Sequence, residues 1–360
     1  MKSAYIHIPF CTSICSYCDF CKMFYNPKWA HDYLIALRDE MNDLYMGEEL
    51  KTIYIGGGTP SCLSIKEMEF LLKCVSSFER SLDYEFTFEC NLNDITEEKL
   101  LLLKNYGVNR LSIGIESFCE EKLKLMGRHH TFLEAKEKIG LIRKCGFSNI
   151  NVDLIYGFFS ETLADLKDDI KKFLDLGVEH ISTYSLILSD HTLLKVNKIP
   201  TIDEDLDAEF YETICKLFSK KKYRHYEISN FAKAGYESKH NLNYWNNGEY
   251  YGFGLSASGY LEGMRYTNTF NLNKYLNHEF DGERVLLSPT DIMDNEIMLG
   301  LRKIEGISVE QFYKKYGISI YDAYPISVLV KQKELCEKNG YIFINPGMLY
   351  VSNEILIKLI

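Results

Sequence analysis

An α/β fold built on a parallel sheet, followed by a smaller C-terminal accessory unit, is predicted by three features of the chain. Short β-rich runs alternate with amphipathic helical patterns up to about residue 220. No Gly-x-Gly-x-x-Gly turn follows the first strand. After residue 220 the pattern changes to Tyr- and Gly-rich extended segments, then to helices and a hairpin. Parallel neighbours need helical crossovers. Without a dinucleotide-binding turn, a barrel or partial barrel of six strand-helix units fits better than a doubly wound sheet. The expected division is 1–222 for the barrel, 223–285 for an extended segment packed on it, and 286–360 for a small helical and hairpin domain.

The predicted strands are Ala4–Ile8, Thr52–Gly56, Glu85–Glu89, Arg110–Ile115, Ile150–Tyr156 and His180–Leu186. Helices between them have readable ends. Thr131-x-x-Glu134 is a capping box, and Gly146 follows the helix it opens. Thr162-x-x-Asp165 opens another helix, which aligns Leu163, Leu166, Ile170, Phe173 and Leu174 and stops at Gly177. Tyr226–Ala232 and Tyr250–Tyr260 read as extended. Ser288-Pro289 supplies an N-cap and a proline at the first helical position. Ser308-x-x-Gln311 opens a second helix, and Tyr341–Val351 reads as a hairpin turning at Asn345-Pro346-Gly347. A winged-helix-like tail is the expectation.

The chain has 360 residues, enough for a sizeable core and two domains. A net charge of −10 and the lack of a basic stripe argue against a nucleic-acid partner. Neither a secretory leader nor a membrane-spanning apolar run is read in it. Eleven cysteines in such a chain point to a reducing, cytoplasmic compartment. Most of the scattered ones read as small buried hydrophobes, and Cys21, beside the cluster of three discussed next, has no assigned role.

The chemistry begins at Cys11-x-x-x-Cys15-x-Tyr17-Cys18. Three thiolates on one loop can hold three corners of a [4Fe–4S] cube and leave the fourth iron open to a small molecule. This predicts a radical S-adenosylmethionine (SAM) protein. A Cys₃His zinc site using His7 is the alternative, although no second ligand pair appears downstream. Gly56-Gly57-Gly58-Thr59-Pro60 follows the second strand and lets backbone approach a ligand closely. Glu89 ends the third strand, where it can accept from ribose hydroxyls; Arg128 can pair with a carboxylate, and Asp153 lies in the fifth strand. Each of these charges, taken singly, is more often a solvated or paired structural residue, and their shared place at strand ends is what favours a site. In barrels of this kind, functional residues gather where strands end.

Tyr5-Ile-His-Ile-Pro-Phe-Cys11, Gly56-Gly-Gly-Thr-Pro-Ser61, Arg110-Leu-Ser-Ile-Gly-Ile-Glu-Ser-Phe118, Asn151-Val-Asp-Leu-Ile-Tyr-Gly157 and Tyr226-Glu-Ile-Ser-Asn-Phe-Ala232 occur in this order. Together they closely resemble the oxygen-independent coproporphyrinogen III oxidase-like radical SAM family over nearly the whole chain. The resemblance implies a partial (β/α)₆ barrel with a C-terminal accessory domain. It also implies cluster ligation by Cys11, Cys15 and Cys18, and a SAM site lined by Tyr5, Tyr17, Gly57, Gly58, Thr59, Glu89, Glu116, Arg128 and Asp153.

That family holds both oxidases and heme chaperones of the HemW type, and three features favour the chaperones. Phe20 stands where the oxidases carry a further Cys, only ten residues precede Cys11, and His240-Asn-Leu-Asn-Tyr244-Trp245 matches the chaperones' heme-associated motif. Imidazole is a common heme-iron ligand, and Tyr244 and Trp245 can cover an apolar macrocycle. Otherwise His240 pairs with a neighbour and the aromatics fill core. The resemblance thus implies heme as a third cofactor and apo-hemoproteins as recipients. It leaves the electron donor unnamed and peripheral membrane contact open. The alternative is decarboxylation of coproporphyrinogen III, or a related radical reaction, initiated by SAM cleavage. The chain departs from the family pattern at Glu116, for the usual Gln, at Phe158-Phe159, for Leu-Pro, at Glu161, for Gln, and at His129-His130. These changes are expected to alter details of the SAM pocket.

Overall fold

In a computed structural model describing residues 2–360, six strands lie side by side in chain order. They are β1 (Lys2–Ile8), β2 (Leu50–Gly57), β3 (Arg80–Asn91), β4 (Arg110–Glu116), β5 (Ile150–Tyr156) and β6 (His180–Ser185). Every neighbouring pair among them is parallel. The crossovers carry α1 (Pro27–Leu44), α2 (Ile65–Val75), α3 (Glu97–Asn105), α4 (Glu120–Met126), α5 (Phe132–Lys144) and α6 (Leu163–Asp175), and α7 (Glu204–Lys220) follows β6. Local chemistry explains their starts. Asn26 caps α1 ahead of Pro27, and both predicted capping boxes, Thr131 with Glu134 and Thr162 with Asp165, are formed.

Alternation along each strand separates two environments. Ile53, Ile55, Phe86, Phe88, Leu111, Ile113, Val152 and Leu154 are buried in the main apolar core. Each such side chain contributes roughly 1.5–3 kcal/mol through removal from water. The intervening Tyr54, Glu89, Arg110, Ser112, Asn151 and Asp153 line a cavity on the other face. A polar interior within an apolar shell is therefore written into the period-two pattern.

The segment after α7 extends this sheet at both edges instead of lying on it as a separate layer. β7 (Arg224–Glu227) and β8 (Asn230–Ala232) join beside β6, and β8 runs antiparallel to β6. Next come α8 (Lys239–Trp245), then β9 (Tyr250–Phe253), β10 (Ser258–Leu261), β11 (Met264–Asn268) and β12 (Asp281–Leu286). β9 adds to β1 in parallel. The sheet thus runs β12-β11-β10-β9-β1-β2-β3-β4-β5-β6-β8-β7, an open barrel.

A second core contains Ile297, Leu301, Phe312, Ile326, Ile342 and Leu356, with Tyr211 of α7 packed into it. Its elements are α9 (Pro289–Gly300), β13 (Ile307–Ser308), α10 (Val309–Tyr316), α11 (Ile320–Ala323), α12 (Ile326–Lys331), β14 (Leu335–Lys338) and β15 (Tyr341–Ile344). Their order, three strands with helices between the first two, is that of a winged helix. The hairpin differs from the predicted one. It turns at Asn339-Gly340, both at positive φ, while Pro346–Met348 forms a 3₁₀ turn. Asn-Gly suits the twist of a two-residue hairpin, whereas the charged strand Leu335–Lys338 lacks the apolar alternation that announces a strand.

Candidate functional site

The cysteine loop leaves the C-terminal end of β1. Phe10–Cys11 pairs with Met23–Phe24, closing the loop that carries Cys15 and Cys18. Cys11 is buried and the other two are partly exposed. Thr59 Oγ1 donates to Cys11 Sγ at 3.3 Å, and Arg128 Nη1 donates to Cys15 Sγ at 3.4 Å. Such donors favour thiolate sulfur. Burial raises the Cys11 thiol to about 11, so binding iron must displace its proton. Among the described residues, no three His, Cys, Asp or Glu side chains converge as around a single ion. A cube does not ask for that, because each thiolate meets a different iron. His7 is committed elsewhere, with Nδ1 2.9 Å from the Tyr5 hydroxyl and Nε2 2.9 Å from the Cys21 carbonyl oxygen. The donor set fits a cluster better than zinc.

The glycine turn packs against this loop. Gly57 has φ +116°, and a Cβ there would stand 2.4 Å from the His7 ring; one on Gly58 would stand 2.8 Å from the Pro9 backbone. Side chains are excluded here by the protein itself. The Gly57 amide donates to Glu89 Oε2 at 3.0 Å, and the Tyr54 hydroxyl donates to Glu89 Oε1 at 2.6 Å. Burial nevertheless pushes the Glu89 carboxyl up to about 7. Glu116, at φ +71°, accepts from the Tyr17 hydroxyl at 3.0 Å and lies 3.6 Å from Arg128 Nη1. Its carboxyl is also raised to about 7, by burial that outweighs the neighbouring guanidinium. Asp153 accepts from Asn151 Nδ2 at 2.8 Å and is raised by burial as well.

Cys11, Cys15, Cys18, Tyr17, Gly57, Gly58, Thr59, Glu89, Glu116, Arg128 and Asp153 all line one cavity of about 650 Å³. It opens at the strand ends, where parallel barrels carry their sites. Leu349 and Tyr350 of the C-terminal unit line it too, and the Tyr350 hydroxyl donates to Asp207 Oδ2 at 2.9 Å. Tyr5 is not among the lining residues.

The model of the Radical SAM superfamily matches residues 5–173, and that of the HemN C-terminal domain matches 287–353. Over 346 residues the chain is 41% identical to the heme chaperone HemW of Lactococcus lactis, covering 93% of this chain and 90% of that one. It is 39% identical to the HemW of Bacillus subtilis, covering 98% and 96%. The chain belongs to the HemW family of radical SAM proteins. Its cofactors are accordingly a [4Fe–4S] cluster and SAM. Coproporphyrinogen III oxidase (HemN) of Escherichia coli shares the fold, with a TM-score of 0.86 at 19% identity over 99% of this chain and 90% of that one.

The HemW-type motif lies beneath the cavity. His240 is buried in α8, with Nδ1 2.6 Å from Thr52 Oγ1 and Nε2 2.8 Å from the Tyr244 hydroxyl. Its ring stacks on Tyr54 at 5.0 Å. Burial lowers its pKa to about 3, with Arg110 adding to the effect, so the imidazole is neutral. Neither His240, Tyr244 nor Trp245 lines the cavity; the helix presents Asn241 to it instead. Trp245 has the Arg302 guanidinium 5.7 Å from the centre of its ring.

Several departures from the family pattern lie outside the cavity and serve packing. Glu161 Oε1 and Asp169 Oδ2 each stand 2.7 Å from the buried Lys122 Nζ. Glu161 also accepts from the Gly157 and Phe158 amides, which shapes the turn after β5. Phe158 is core, Phe159 is exposed, and His130 Nε2 meets the Ser117 carbonyl oxygen at 3.1 Å. Only Glu116 faces the cavity, where Arg128 meets its charge. Sequence reasoning missed one lining residue of note, Arg110. The pattern Arg110, Ser112, Gly114, Glu116 places it on the inward face with Glu116, a signal that was present but not used.

Proposed function

We propose that this chain is a cytoplasmic heme chaperone that binds heme and passes it to apo-hemoproteins. The observation that carries this is near full-length identity of 41% and 39% to HemW chaperones, against 19% to the oxidase of the same fold. Phe20, in place of the oxidases' additional Cys, faces the cavity mouth and agrees with it. In this reading residues 1–222 carry the cofactors, 223–285 the heme contact and 286–360 the wall on the Tyr350 side. Cys11, Cys15 and Cys18 hold the cluster, leaving one iron to bind SAM. Tyr17, Gly57, Gly58, Thr59, Glu89, Glu116, Arg128 and Asp153 surround SAM, and Tyr5 supports them by holding His7.

His240 is the heme contact, flanked by Tyr244 and Trp245. Ligation requires a neutral imidazole with one free nitrogen. Thr52 Oγ1 holds Nδ1, and Nε2 becomes available as the ligand once the Tyr244 hydroxyl yields. Second-group hydrogen bonds of this kind set ligand tautomers.

The test is an anaerobic heme titration of the cluster-reconstituted protein, followed by Soret absorbance, with His240→Ala alongside. Saturable binding that weakens in the variant at unchanged iron content is expected. Absence of saturable binding by the parent chain sinks the chaperone reading, and unchanged affinity in the variant removes His240.

A further inference from the structure

Arg110 is a buried cation with no carboxylate in direct contact; Glu89 and Asp153 attract it only from a longer range. It is 2% exposed and ranks first by volume among the fully buried side chains. Its guanidinium makes one long hydrogen bond, from Nη1 to Thr87 Oγ1 at 3.5 Å. Its Nε has no partner, and no carboxylate among the described residues forms an ion pair with it. Guanidinium presents five donors in a fixed fork and stays charged, so burying it unpaired is costly. The nearby acids are occupied: Glu89 by Tyr54 and the Gly57 amide, Asp153 by Asn151. The cavity wall includes Arg110, so a ligand group has access to the fork.

A second cation, Arg128, already serves the cluster end. It touches Cys15 Sγ and donates to the Gly114 carbonyl oxygen. Gly114 lies four residues along β4 from Arg110, which at about 3.3 Å per residue separates the two positions by roughly 13 Å. The two cations thus enter the cavity wall at different heights along β4. At the mouth of the same cavity, Phe20 and Ile187 are 65% and 76% exposed. An apolar lip over a deep guanidinium suits an apolar body bearing a carboxylate.

We propose that Arg110 is the receptor for a ligand carboxylate at the floor of the cavity, and that this carboxylate is a heme propionate. The proposal rests on the heme-chaperone reading. A planar fork facing a carboxylate gives paired, charge-assisted bonds, and the ligand fills donors that the free chain leaves without partners.

The experiment compares the reconstituted parent chain with Arg110→Met and Arg110→Lys, titrated with heme and with heme dimethyl ester. SAM binding is measured separately by equilibrium dialysis. The parent is expected to bind heme at least tenfold more tightly than the diester. Arg110→Met is expected to lose that preference while SAM affinity and iron content hold, and Arg110→Lys to recover part of it. Without ligand, Arg110→Met is expected to shift the melting temperature little, because the removed guanidinium made no contact ion pair and one long hydrogen bond. Saturable heme binding by the parent with full discrimination retained in Arg110→Met overturns the site and leaves the chaperone reading standing. A loss of SAM affinity with heme affinity unchanged overturns the propionate assignment in favour of SAM's own carboxylate. Failure of the parent to bind heme at all overturns the chaperone reading itself.

Discussion

Thr52 Oγ1 and His240 Nδ1 stand 2.6 Å apart across 188 residues of sequence. The contact ties α8 to the start of β2, and the Glu85 carboxylate reinforces it by accepting from the His240 amide at 3.0 Å. The helix is thereby the floor of the open barrel, and its histidine is held at both ring nitrogens before any ligand arrives.

Thr52→Val keeps the shape and removes the hydroxyl. A lost buried hydrogen bond costs about 1 kcal/mol, so a modestly lower melting temperature is expected. Heme affinity is expected to fall about fivefold, within the same energy range, at unchanged iron content. Calorimetry with a heme titration checks both. A lower melting temperature with heme affinity intact would make Thr52 a packing residue only.

Lys122 bridges two buried carboxylates, Glu161 and Asp169. Lys122→Met leaves them uncompensated, which typically costs about 3–5 kcal/mol. A lower urea midpoint is expected. Glu161→Gln and Asp169→Asn in the same chain should recover most of the loss, since the repulsion that follows from removing the ammonium is then gone.

Glu40 binds three donors, the Tyr275 hydroxyl, the Gly254 amide and Asn268 Nδ2, yet burial lifts its carboxyl from 4.5 to about 7. The folded chain therefore holds this proton at pH values where the unfolded chain has released it. Stability from this group is greatest below about pH 4.5, falls as pH rises towards 7, and is level above that. The shift corresponds to roughly 3 kcal/mol. Glu40→Gln should flatten that decline. Urea denaturation of both chains at pH 5 and pH 7.5 checks it, and an equal difference at both pH values would refute the assignment.

Gly57→Ala places a Cβ against the His7 ring at a backbone angle that L-residues rarely adopt. The turn must move, and Glu89 loses the Gly57 donor. SAM affinity is expected to drop at least tenfold, with a smaller change in iron content, because the cysteine loop has its own closure through Met23–Phe24. Equilibrium dialysis of SAM and an iron assay separate the two effects.

The spacing of Cys11, Cys15 and Cys18, the glycine turn and the strand-helix alternation are local signals, and each was readable because one segment carries it whole. The capping boxes and the parallel order of β1 to β6 belong to the same class. What remained hidden depends on partners far away in sequence. Glu161 is a departure from a pattern until Lys122 is beside it. His240 is a free imidazole until Thr52 and Tyr244 occupy both nitrogens. Arg110 is one arginine in a strand until the fold encloses it without a contact ion pair. The hairpin at Asn339-Gly340 was missed because the polar strand before it has no period to detect. By itself the sequence determined the cluster loop, the barrel units and the family, since these are written in short-range pattern and composition. Only the tertiary structure decided which charges are paired, which histidine is satisfied and what lines the cavity, because hydrogen bonds and desolvation depend on distances that no local pattern encodes.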